Sequence, residues 1–108
     1  MPYTPELAER MRLALSSRSD ITEKKMFGGY CWMLNGNMIC GVEVGRYMFR
    51  VGKDLESLAL SRPGATPMDI TGKPMRGFIW VDGQHATGAA LQQWIALAEQ
   101  YVGTLPPK

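Results

Sequence analysis

The chain has few of the side chains that usually carry chemistry. Among 108 residues there are two cysteines and one histidine. Cys31 and Cys40 are too widely spaced for a metal knuckle or a redox C-x-x-C pair. His85, in Gly83-Gln84-His85, lacks the Cys, Ser or carboxylate constellation that nucleophilic catalysis needs, and reads as a surface loop residue. Asp69 and Asp82 flank the last two expected strands, but nothing in their spacing pairs them as acid and base; they read as strand-end polar groups. Gly28-Gly29 and Gly41-x-x-x-Gly45 fit neither G-x-G-x-x-G nor the P-loop, so no phosphate cradle is expected. An enzyme, a cofactor and a metal are thus all unsupported by the residues.

Other absences narrow the class further. No apolar run approaches the roughly 20 residues that span a bilayer. Glu6, Glu9, Arg10 and Arg12 interrupt the N-terminal stretch where a signal peptide would carry its apolar core. The expectation is a cytoplasmic protein without a membrane partner, its thiols reduced. A strong charge of one sign is also missing: the net charge is +2 and the pI about 8.7. That is too mild for the concentrated basic stripe of a dedicated nucleic-acid binder.

What is present is an ordinary globular composition, 45% apolar and 20% charged, of a length for one domain over residues 1–108. Eight methionines are many for this length, and Met serves both irregular cores and adaptable binding surfaces. Thr4-Pro5-Glu6 predicts a helix start, with Leu7, Met11, Ala14 and Leu15 on one face and Glu6 paired with Arg10. Thr22 to Phe27 predicts a first strand ending at Gly28-Gly29. YCWML, NMICGVEV and RYMFRV follow as three more. Asp54 is expected to cap a short helix to about Leu60, and SRPGATP to be a loop. Met68 to Thr71 and Gly77 to Val81 are expected as strands. Thr87 caps a last helix with Leu91, Trp94, Ile95, Ala98, Tyr101 and Val102 on one face. The order α-β-β-β-β-α-β-β-α predicts an α+β fold with helices packed on an antiparallel sheet.

The stretch from Met26 to Gly52 sets the expected faces. Asn35-Gly36 predicts a two-residue type I′ hairpin, opposing Met33 to Met38, Trp32 to Ile39, Cys31 to Cys40 and Tyr30 to Gly41. A second tight turn at Gly45-Arg46 opposes Val42 to Phe49 and Gly41 to Arg50. Alternation then gives a core face of Cys31, Met33, Met38, Cys40, Val42, Val44, Tyr47, Phe49 and Val51. The other face carries Tyr30, Trp32, Asn37, Ile39, Gly41, Glu43, Met48 and Arg50. In this register Cys31 and Cys40 form a candidate cross-strand redox pair, against the simpler reading of two reduced core residues. Arg50 would lean across Gly41 toward the Tyr30 ring.

The candidate interaction surface is therefore Tyr30, Trp32 and Arg50, extended by Lys73, Arg76 and Arg62. Aromatic residues with arginine mark protein-binding hot spots, and they also stack single-stranded nucleic acid. The competing reading is that a helix covers this face, and that the outlying basic residues are solvated.

Several short motifs occur in order: Met26-Phe27-Gly28-Gly29-Tyr30, Leu34-Asn35-Gly36-Asn37-Met38, Arg50-Val51-Gly52 and Pro67-Met68. Met75-Arg76-Gly77-Phe78 and Leu105-Pro106-Pro107-Lys108 complete the set. Together they resemble the TfoX N-terminal domain family, over about residues 10 to 108. The resemblance implies a secretion-chaperone-like α/β fold, and a regulator related to bacterial competence proteins, with no established catalytic residues. The full-length regulators carry a second, helical C-terminal domain, which this sequence does not contain. The expected partner is a protein, with nucleic acid as the alternative.

Overall fold

Thr4 ends the extended segment that leads into α1 (Pro5–Ala14), and Pro5 takes the first helical position, where its missing N–H is harmless. The Thr4 hydroxyl, however, accepts from the Gly45 N–H at 2.8 Å and does not cap the helix. The computed structural model describes residues 3–26, 29–70 and 72–107. Phe27, Gly28 and Thr71, expected at strand ends, lie outside the described residues.

After α1 come β1 (Ile21–Met26), β2 (Gly29–Leu34), β3 (Asn37–Val42) and β4 (Arg46–Arg50). Then follow α2 (Glu56–Leu60), β5 (Ala65–Ile70), β6 (Lys73–Asp82) and α3 (Gly88–Val102). The strands form one antiparallel sheet of order β1-β2-β3-β4-β6-β5. The α+β class and the element order are those expected. Further local differences separate sequence from structure, among them that α2 is capped at Leu55 and not Asp54, β1 starts at Ile21, β5 at Ala65 and β6 at Lys73, and Leu97 joins the buried face of α3.

The helices share one side of the sheet. The Tyr47 hydroxyl donates to the Leu7 carbonyl of α1 at 2.6 Å, and the Phe49 ring stacks on Trp94 of α3 at 5.8 Å. Ala59 of α2 is buried in the same cluster as Ile79 and Val81 of β6. Arg10 ties α1 to the far end of the sheet, donating to the Gly83 and Ala86 carbonyls at 2.7 and 3.2 Å.

The register of the meander corrects the expected faces. Asn35 and Gly36 have φ of +53° and +84°, so the type I′ turn forms, and Leu34↔Asn37 and Met33↔Met38 pair as expected. Above them a β-bulge intervenes. Trp32 faces Cys40, Cys31 faces Gly41, and Tyr30 faces Val42, leaving Ile39 as the extra residue. One extra residue turns every side chain of β2 to the opposite face. The reason is burial: the bulge lets Ile39 and Cys40, adjacent in sequence, both enter the core beside Trp32. Burying each large side chain contributes about 1.5–3 kcal/mol. One disturbed ladder hydrogen bond costs about 1 kcal/mol.

The second hairpin shifts by two positions and keeps its faces. Its loop is Val44-Gly45, with Gly45 at φ +76°, and the Glu43 N–H donates to the Arg46 carbonyl at 2.9 Å. Val42 therefore faces Tyr47, and Gly41 faces Met48 and not Arg50. The Thr4–Gly45 hydrogen bond and the ion pair of Arg46 Nε with Glu43 Oε1 at 2.6 Å close the turn there.

Candidate functional site

With the helices on one face, the other face of the sheet is uncovered along its middle. The bulge places Cys31, Met38 and Gly41 there, and β4 adds Met48. From β6, Phe78 and Trp80 point the same way, while Ile79 and Val81 enter the core. Met26, Met68 and Met75 supply the walls of an open groove of about 740 Å³. A Cβ on Gly41 would stand 3.3 Å from Cys31 Sγ and 3.4 Å from Met48 Cε, so glycine keeps the floor flat. Arg46 lies 3.7 Å over the Trp80 ring and is neutralised by Glu43, leaving an apolar lining with one screened charge.

A second, smaller pocket of about 450 Å³ adjoins the groove through Phe78. Arg50, Lys53, Arg76 and Tyr101 line it, with Asp54 and the backbones of Gly52 and Gly77. Gly52 has φ +81°, and a Cβ there would stand 2.5 Å from the Tyr101 ring, so glycine is required on both counts. The Gly77 carbonyl accepts from both Val51 and Gly52 N–H groups, at 2.8 and 3.0 Å. Buried Glu56 accepts from Arg76 Nε at 2.7 Å and from the Gly77 N–H at 3.3 Å, which holds Gly77, at φ +87°, in place.

Only part of the expected surface is brought together. Trp32 is 2% exposed, in the core beneath the helices, and cannot meet a partner in the folded protein. The Tyr30 ring packs edge-on to Tyr3 and under the Arg12 guanidinium of α1, so Arg50 does not approach it, although Tyr30 is among the residues that line the groove. Arg50 is beside Phe78 and Tyr101 instead, its Cζ 5.6 Å from each ring centroid. Arg76 shares that pocket, Lys73 is exposed and lines neither cavity, and Arg62 packs on Trp94 at 5.5 Å.

The redox pair is likewise corrected. Cys31 lies on the groove floor, whereas Cys40 is on the helix side with its Sγ 4.0 Å from Met11 Sδ. The sheet separates the two side chains, and both thiols are free. Burial pushes both thiols above the ordinary cysteine range, so neither rests as a thiolate. His85 is exposed and packs against Gly64, where a Cβ would stand 2.6 Å from it. Asp82 is exposed opposite Arg46, and the Asp69 side chain lies outside the described residues. Among the described residues, no three or more His, Cys, Asp or Glu side chains gather as a metal site. No helix among the described residues is long and apolar enough to cross a membrane.

Gly41, Glu43 and Met48 were expected on this face, but the groove's other methionines, Cys31, Phe78 and Trp80 escaped sequence reasoning, although two signals pointed to them. The methionine excess was one. The other was the unbroken run Phe78-Ile79-Trp80-Val81, whose two faces are both apolar, as in a strand covered on both sides.

No curated protein and no solved structure matches the chain. A family model described as the TfoX N-terminal domain matches residues 14–101, from the last residue of α1 nearly to the end of α3. That span takes in the whole sheet and both cavities' described linings, and the chain belongs to the TfoX N-terminal domain family.

Proposed function

We propose that this protein is a small non-enzymatic regulatory module that holds an apolar segment of a partner protein on the uncovered face of its sheet. The carrying observation is the methionine-lined groove of about 740 Å³, which none of the described helices covers. Unbranched thioether side chains repack around different apolar shapes, a property of adaptable binding surfaces. The sheet edges favour the face as the docking site. Edge strand β1 carries Lys24 and Lys25, and edge strand β5 carries Pro67; both devices oppose strand addition. The family suggests a competence-regulator-like role, so the partner belongs to the control of gene expression. Two free, buried thiols suit a reducing compartment such as the cytoplasm.

Nucleic-acid binding is the second reading, and it draws on Arg50 beside two aromatic rings. Affinity capture from native cell extract separates the two. The first reading expects a protein retained after nuclease treatment and at high salt, and lost with Met38→Lys when melting is unchanged. Material released by nuclease, and falling steeply with salt, would transfer the function to nucleic acid.

A further inference from the structure

The smaller pocket has a lining of its own and shares only Phe78 with the groove. Arg10, Arg12, Arg18, Arg46 and Arg76 are each paired with a carboxylate. Like Arg62, which packs on Trp94 alone, Arg50 has no carboxylate partner among the described residues. Its guanidinium is instead flanked by Phe78 and Tyr101, on two different elements, at 5.6 Å each. Such packing restricts the side chain while leaving its hydrogen-bonding edge unused. Lys53 stands on the same pocket wall, and Gly52 and Gly77 present backbone without side chains. The motifs Arg50-Val51-Gly52 and Met75-Arg76-Gly77-Phe78, distant in sequence, meet at this one place.

We propose that this pocket binds a small carboxylic acid in its anionic form. The two oxygens of the carboxylate accept side by side from the Arg50 guanidinium, and the attached apolar body rests against Phe78 and Tyr101. Charge balance selects a monoanion. Arg50, Lys53 and Arg76 line the pocket, but Asp54 offsets one of them and Glu56 holds Arg76. One positive charge is left, which matches a carboxylate better than a phosphate dianion. A fork of parallel N–H donors is also the geometry a carboxylate accepts best. The volume of about 450 Å³ fits a small molecule. This binding is independent of partner docking in the groove, since it needs only the pocket residues.

The test is a titration of the intact protein with 3-phenylpropionate and with its neutral counterpart 3-phenylpropanamide, followed by nuclear magnetic resonance. The acid is expected to shift the Arg50 Nε–H and the Gly52 and Gly77 amide signals, with an affinity about 10-fold above that of the amide. Arg50→Gln should abolish this preference, and Arg50→Lys should retain part of it. Lys53→Gln, at an exposed position, should weaken acid binding severalfold and provides a second readout if Arg50→Gln disturbs the fold. Equal affinity for acid and amide in the native protein would overturn the proposal. So would inorganic phosphate binding more tightly than 3-phenylpropionate, or shifts confined to groove residues such as Met38. A failure here leaves the capture experiment on the groove intact, so the two readings stand or fall separately.

Discussion

Tyr47 shows how much one buried polar atom governs at the residue level. Its hydroxyl is sealed in the core and donates to the Leu7 carbonyl, and burial pushes its pKa up to about 12. In the unfolded chain the phenol titrates near 10. The folded state therefore keeps the proton longer, and this stability is complete below pH 10 and is lost as pH rises toward 12. The loss reaches about 3 kcal/mol. Tyr47→Phe should cost about 1 kcal/mol at pH 7, by urea denaturation, and flatten the decline between pH 10 and 12. Trp32→Ala should cost about 3–5 kcal/mol in the same measurement, because it empties a core site and removes no surface. The cysteines give a third expectation. Protein handled in air should still show two free thiols after denaturation, and a native thiol reagent should reach Cys31 before the fully enclosed Cys40.

Between elements, parity decides what can be read from sequence. The second hairpin slipped by two positions against expectation, and because side chains alternate with period two, Val42, Tyr47, Phe49 and Val51 stayed in the core, while Val44, expected beside them, became a turn residue and is 59% exposed. The first hairpin slipped by one, at the Ile39 bulge, and Trp32, Cys31 and Met38 all changed sides. The Asn35-Gly36 turn and the helix faces were legible because their signals are local, whereas the expected caps at Thr4 and Asp54 and the exact position of the second turn were not. The bulge was not, because it answers to the summed burial of Trp32, Ile39 and Cys40 against helices distant in sequence. Of the expected surface, Arg50 of β4 and Arg76 of β6 reached one pocket, and Arg50 kept its expected side because the β4 slip preserved parity. The junction between β4 and α3 offers a test at this scale. Gly52→Ala meets both a positive φ and the Tyr101 ring, and should destabilise by about 2–4 kcal/mol. Adding Tyr101→Ala removes the clash but not the strained backbone. The double variant should therefore be destabilised by less than the sum of the two single changes.

For the molecule as a whole, the fold separates one sealed methionine from a set of four on the open groove. Met11 is sealed between α1 and the sheet, while Met26, Met38, Met68 and Met75 line the open groove and are partly exposed. A sheet with helices on one side buries its second face only when something else arrives, and here that face is apolar without being tightly closed. Oxidation tests this arrangement, since a sulfoxide is polar and cannot rejoin an apolar contact. Brief peroxide treatment, read by peptide mass spectrometry, should modify the four groove methionines at least about 10-fold faster than Met11. Met48, at 7% exposure on the groove floor, should fall between them. Because the groove side chains contribute little to the enclosed core, the treated protein should keep its melting transition. It should nevertheless lose the partner retained by the untreated protein. If Met11 reacted as fast as Met38 while the fold persisted, the division of the sheet into a sealed and an open face would be wrong. If all groove methionines were oxidised and partner retention were undiminished, binding would have to lie elsewhere on the surface.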